Sequence, residues 1–394
     1  MSLTRRDFIT LLGGATAALP LTVRAQQASP PVVAFVSSRS LNDAARYGGA
    51  FRKGLSETGI VEGQNATMQY HWLDGQYDRL PSLMTDLVRA RVSVITTPSF
   101  TSAALAAKAA TSMIPIVFGV GEDPVKLGLV ASLARPGGNA TGINFLNQEV
   151  VAKQVSLLRD LLPKAVRIAV LVNPANVAGA EATTRQASEA ASALGLQIQV
   201  LKARTSREID AAFATLARER VEALLVAGDG LFVNRRLQFA TLATRQGIPS
   251  IYSGRDTVDV GGLMSYATDN AEVYRQSGNY VGRILKGAKP TDLPVIQSTR
   301  FEFIINLITA GALGLTVPGD LLSNADEVIE WLSGAANSSL DSAARRRLCG
   351  RLRRGRSSRR YRSSHSSAAG RPMRPLLPRS ARASTKPATS RDRT

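Results

Sequence analysis

Ser37 and Ser38, Ser99 with Thr101, and Asp229 have the types and placement to do chemistry, and what they suit is the grip of a charged solute. Hydroxyls and backbone amides hold a carboxylate, and a carboxylate holds an ammonium, so the set describes a pocket for a small zwitterion such as an amino acid. Asp123, in Gly121-Glu122-Asp123-Pro124, and Asn173, in Asn173-Pro174-Ala175-Asn176, lie in equivalent loops, and Tyr252 offers an apolar wall. Each also fits a plainer role, because Ser, Asn and Asp cap helices and stabilise turns through local hydrogen bonds alone. A catalytic set is harder to assemble. His71 and His365 are the only histidines and Cys349 the only cysteine of 394 residues. A Ser-His-Asp triad would depend on His71, in the strand-like Tyr70-His71-Trp72, and a zinc site would have one imidazole to use. Glu122 and Asp123 adjoin in a turn, and adjacency alone does not supply the separation that glycosidic chemistry requires. Gly119-Val120-Gly121 has Pro124 where a dinucleotide loop needs its third glycine, and neither a G-x-S-x-G elbow nor a G-x-x-x-x-G-K-[ST] loop occurs. No cofactor and no metal are expected.

The candidate loops follow short runs rich in Val and Ile. These runs lie at 32–36, 66–70, 92–96 and 116–118, then at 167–172, 197–200, 223–226 and 250–252. Apolar on both faces, they read as parallel strands covered by helices. Stretches of helical period separate them, at 44–58, 77–90, 101–111, 126–134, 153–161, 180–194, 206–219, 235–246 and 271–286. This is a doubly wound α/β chain, and in such folds ligands meet the loops at the carboxyl ends of the strands. Pro136-Gly137-Gly138-Asn139 interrupts the pattern after four βα units, and four more follow, which predicts two lobes of similar build.

The net charge of +19 suggests a polyanion partner, but its distribution argues otherwise. Residues 331–394 hold 17 Lys/Arg against 2 Asp/Glu, so only +4 belongs to residues 1–330, and no nucleic-acid footprint is expected there. The tail, with Arg345-Arg346-Arg347 among Ser, Ala, Gly and Pro, lacks the apolar periodicity of a folded segment and is expected to be disordered. It reads either as a nucleic-acid-binding arm or as the product of a displaced reading frame, and the other end of the chain favours the second. There, Arg5-Arg6-Asp7-Phe8-Ile9 precedes an apolar stretch and Val23-Arg24-Ala25, the pattern of a twin-arginine export signal over residues 1–25. A membrane anchor is the competing reading, but the stretch is short of the roughly 20 apolar residues that span a bilayer. Export places the protein in the periplasm, where a globular region without cysteine folds safely.

Several ordered blocks carry a resemblance. Phe51-Arg52-Lys53-Gly54-Leu55, Asp123-Pro124-Val125-Lys126-Leu127-Gly128-Leu129-Val130, Arg135-Pro136-Gly137-Gly138-Asn139-Ala140-Thr141-Gly142 and Leu313-Gly314-Leu315-Thr316-Val317-Pro318 resemble the ABC transporter substrate-binding proteins whose relatives bind aromatic amino acids. The likeness runs through residues 1–330. It implies a type I periplasmic binding protein: two Rossmann-like lobes with parallel sheets, a ligand in the cleft, and late segments that return to the first lobe. It places residues 30–145 and 265–295 in the N-terminal lobe and 146–264 and 296–330 in the C-terminal one. It implies Ser38, Ser99 and Thr101 on a ligand carboxylate and Asp229 near an amino group, although Gly228-Asp229-Gly230 departs from the Asp-Asn-Thr-like pattern of the amino-acid binders. It further implies a monomer that is not an enzyme and that hands a small molecule to an ABC permease. A sensor subunit reporting to a membrane kinase and an exported α/β enzyme stay open as alternatives.

Overall fold

A computed structural model describes residues 29–330 apart from Leu146; the segments read as export signal and tail lie outside the described residues. The first sheet contains β1 (Val32–Ser37), β2 (Thr67–Trp72), β3 (Val94–Thr97), β4 (Ile116–Val120), β5 (Ala140–Asn144) and the late β11 (Ile296–Gln297). Its order is β11-β5-β4-β3-β1-β2, parallel throughout. The second contains β6 (Arg167–Val172), β7 (Gln197–Lys202), β8 (Ala223–Val226), β9 (Ser250–Tyr252), β10 (Met264–Thr268), β12 (Phe301–Asn306) and β13 (Glu327–Ile329). Its order is β13-β12-β10-β9-β8-β6-β7, with only the β10–β12 pair antiparallel.

Strand alternation explains why both faces are covered. In β1, Val33 and Phe35 enter one apolar layer while Ala34 and Val36 enter the opposite one. In β6, Ile168, Val170 and Val172 face one layer, and Ala169 and Leu171 the other. Successive side chains point to opposite faces, so a continuous apolar run buries itself only when helices flank the sheet on both sides.

One of those helices arrives late. α1 (Gly49–Ser56) packs against α10 (Asn270–Leu285), so residues beyond the second lobe's parallel strands complete the first lobe. Glycines set this crossing. A Cβ on Gly54 would lie 1.7 Å from the Arg275 carbonyl oxygen, and one on Gly278 would lie 2.1 Å from that of Phe51. No side chain fits at either position.

The structure moves two predicted crossings. Residues 264–268 stay in the second sheet, paired with β9 and β12, so the return to the first lobe begins after Thr268 and not at 265. Ile296 and Gln297 pair with β5, so the final crossing follows them and does not begin at 296. At both places strand end and crossing nearly coincide, leaving no break in composition. The helix predicted at 126–134 is a run of turns. Asp123 Oδ1 draws the Val125 and Lys126 N–H groups into a local turn, and Gly128 takes φ +71°, which no helix continues.

Candidate ligand-binding cleft

The two sheets present their carboxyl ends to one cleft. After β3, Ser99 adopts φ +53°, an unfavourable backbone for a residue with a Cβ, and the Phe100 N–H bonds to the Gly119 carbonyl at 3.1 Å. This turn starts α3 (Thr101–Ala110). Its first i→i−4 bond runs from Ala104 to Phe100, so the N–H groups of residues 101–103 have no acceptor one turn back. Ser99, Phe100 and Thr101 line the cleft, so this amino-terminal end meets it with partial positive charge.

The hydroxyls are engaged. Thr101 donates to Glu122 Oε2 at 2.7 Å, and Ser99 donates to Asn270 Oδ1 at 2.9 Å. Asn270 is the first residue of α10, whose cap Asp269 accepts from the Glu272 N–H.

Opposite lies Asp229, before α7 (Gly230–Asn234). Its Oδ1 accepts from Leu231 N–H and Asn173 Nδ2, each at 2.9 Å, and its Oδ2 accepts from the Tyr77 hydroxyl of the other lobe. Burial raises the pKa of Asp229, and hydrogen bonds from Tyr77, Asn173, Leu231 and Asn176 oppose the rise without cancelling it. Burial likewise raises the Tyr77 hydroxyl, and the Asp229 charge raises it further. Among the described residues, no cation is paired with Asp229.

Other contacts hold the lobes face to face. Asn234 accepts from the Ser40 N–H at 3.1 Å and donates to the Ser38 carbonyl at 3.3 Å, and Ser102 donates to Asn176 at 3.2 Å. At one margin Asp256, in α9 (Arg255–Val258), receives Arg39 at 3.1 Å, Arg46 at 3.3 Å and the Tyr47 hydroxyl at 2.7 Å. The Arg39 guanidinium also stacks 3.8 Å above the Tyr47 ring. Burial would lift the pKa of Asp256, but Arg39, Tyr47 and Arg46 together outweigh it and hold the carboxyl below its ordinary value. With the lobes in contact, about 100 Å³ of free space remains between them. A water needs roughly 10–15 Å³ on this measure, so there is room for a small solute.

Of the eight predicted residues, Ser38, Ser99, Thr101 and Asp229 line this cleft. Asn173 stands behind Asp229 as a hydrogen-bond donor. Ser37, at the end of β1, lies against Tyr274 and accepts from the Arg39 N–H, fully buried and outside the cleft lining. Asp123 is spent on its own turn. Tyr252 packs into the apolar layer with Phe213 and Phe239. His71 lies on β2, half-buried and away from the cleft. The sequence reading missed Tyr77, Asn270 and the aromatic wall Phe145; Phe100, Asn176 and Glu122 lay in its candidate loops without being assigned a role in binding. Asp74-Gly75 just before Tyr77 marks a turn at a strand end, the one local signal available.

Two doubly wound lobes with a polar cleft between their strand ends define a periplasmic-binding-protein architecture. Residues 31–329 match the family described as ABC transporter substrate binding protein, and the chain belongs to it. It is 29% identical over 277 residues to a tyrosine-binding protein of Clostridioides difficile (strain R20291), covering 69% of this chain and 77% of that one. A conserved domain protein of Vibrio cholerae superposes with TM-score 0.69 and 26% identity, over 76% of this chain and 99% of its own. An ABC domain from Streptococcus pneumonia, solved in complex with L-Trp, gives TM-score 0.69 at 24% identity, over 76% and 100% of the two chains. Among the described residues no helix is long and apolar enough to cross a membrane, and no group of three His, Cys, Asp or Glu side chains could hold a metal.

Proposed function

We propose that this chain captures a small polar solute, an amino acid or a related amine, between its lobes and hands it to the permease of an ABC importer. One observation supports this most: Asp229 is a buried carboxylate on the cleft wall whose hydrogen-bond donors are all neutral. A buried carboxylate is costly without a cation, and a ligand ammonium supplies one. The engaged hydroxyls and the α3 amides face it and suit the polar remainder of the solute. The names of relatives, a tyrosine-binding protein and a domain crystallised with L-Trp, agree with amine recognition.

Binding without turnover fits this lining, which includes neither histidine nor cysteine. Export by the twin-arginine segment and action in the periplasm as a monomer complete the reading. Isothermal titration of the full chain against amino acids, their amides and short organic acids tests it. Silence across that panel, with no amine copurifying by mass spectrometry, would refute it.

A further inference from the structure

Three ionisable side chains of the described residues line the cleft and carry charge: Arg39, Glu122 and Asp229. The cation is committed elsewhere, since Arg39 is 5% exposed, pairs with Asp256 and stacks on Tyr47. The two carboxylates are not so balanced. Glu122 comes from the first lobe and Asp229 from the second, and neither has an ion-pair partner among the described residues. Tyr77 stands near both: its hydroxyl donates to Asp229, and the charge of Glu122 contributes to its raised pKa.

Glu122 also takes a donor that a ligand carboxylate would want. Thr101 at the start of α3 turns its hydroxyl onto Glu122 Oε2 at 2.7 Å, so the protein places its own anion beside the helix end. A solute carboxylate brought to this end would meet a like charge in a partly enclosed space, where repulsion is stronger than in open water. The rings of Tyr77, Phe100 and Phe145 suit an aromatic solute and a cation equally, so the carboxylates decide.

We propose that this cleft selects a solute with two positive groups, a diamine or a basic amino acid whose carboxylate points away from Glu122, held between Glu122 of one lobe and Asp229 of the other. The inference rests on the reading of the cleft as an amine site and narrows it. It also gives closure a cause: a dication held by both carboxylates ties one lobe to the other. Neutral aromatic amino acids lack the second charge.

The test is titration calorimetry of the full chain with L-lysine, L-arginine and 1,4-diaminobutane against L-tyrosine and L-tryptophan, repeated with Glu122→Gln. Glu122 is only partly buried in a turn, and glutamine still accepts from Thr101, so a matching melting temperature confirms an intact fold. The expected result is at least tenfold tighter binding of a cationic compound than of either neutral one, with that preference falling at least tenfold in Glu122→Gln. Tighter binding of L-tyrosine or L-tryptophan, or a preference unchanged in the variant, overturns the inference and leaves the amine site standing. Silence from all five compounds overturns the inference, and the wider panel of amino acids, amides and organic acids then decides the amine site.

Discussion

Gly230→Ala should separate folding from capture. Gly230 begins α7 on the second lobe, with Ser38 of the first lobe directly against it. An added Cβ would lie 2.4 Å from the Ser38 Cβ, 2.5 Å from its Oγ and 2.7 Å from its carbonyl oxygen. Ordinary contact needs about 3.5–4 Å, so the lobes must part by roughly an ångström. The backbone at Ser38 cannot yield easily, since its carbonyl accepts from Gly75 and Asn234. The three nearest atoms all belong to Ser38 of the other lobe, and alanine favours the helix over glycine. The closest clash therefore falls on the closed arrangement. Overpacking of this kind costs about 1–3 kcal/mol, which corresponds to roughly a 5- to 150-fold loss of ligand affinity. Calorimetry reads the affinity, small-angle scattering the ligand-induced compaction, and thermal melting the apo fold. An unchanged melting temperature with weakened binding is expected. Wild-type affinity and full compaction in Gly230→Ala would refute the claim that these lobes meet at Ser38 to trap their solute.

Asp229→Asn should weaken binding of any amine by about 2–5 kcal/mol, read by calorimetry, because the ligand ammonium loses its buried partner. The raised pKa of Asp229 makes amine binding fade on acidification earlier than for an ordinary carboxylate, which affinities measured from pH 7 down to 4 will reveal. Asp256→Asn removes the carboxylate that Arg39 meets across the lobes and should destabilise the closed arrangement by about 3 kcal/mol, read as weaker ligand-induced compaction in small-angle scattering. The folded pKa of Asp256 is depressed, so its contribution is present above about pH 4, the unfolded value, and is lost as pH falls through the folded one. The variant should therefore differ from the parent at pH 7 and converge with it in strong acid. Gly278→Ala forces a Cβ onto the Phe51 carbonyl, and a loss of about 2 kcal/mol or more in chemical unfolding is expected.

The strands that read clearly were those with β-branched runs on both faces, such as Val32-Val33-Ala34-Phe35-Val36 and Ile168-Ala169-Val170-Leu171-Val172. β5 escaped because Ala140-Thr141-Gly142 shows no such run; its burial comes from its place between β4 and β11. The site was half legible for a similar reason. Loops after β1, β3 and β8 follow from the rule that ligands meet strand ends, and they gave Ser38, Ser99, Thr101 and Asp229. Asn270 sits at a lobe crossing, and Tyr77 belongs to the far edge of the first sheet beyond β2; nothing local tells that either reaches Asp229 or Ser99. Ser37 and Tyr252 failed through strand geometry, since one step along a strand turns a side chain from an opening to the interior.

The glycine-lined crossing of α1 and α10 dictates the order in which this molecule can be finished. On a growing polypeptide, the ring-rich surface made by Phe35, Phe51 and Leu55 has no cover until Tyr274 and Val281 emerge, after nearly all of the neighbouring lobe. A fragment stopped near residue 145 would display an adhesive flank, so the first half cannot be excised as an independent part. Joining the natural ends and reopening the chain just ahead of Asn270 would bring cover and strands together early, and such a permutant should fold faster than its parent.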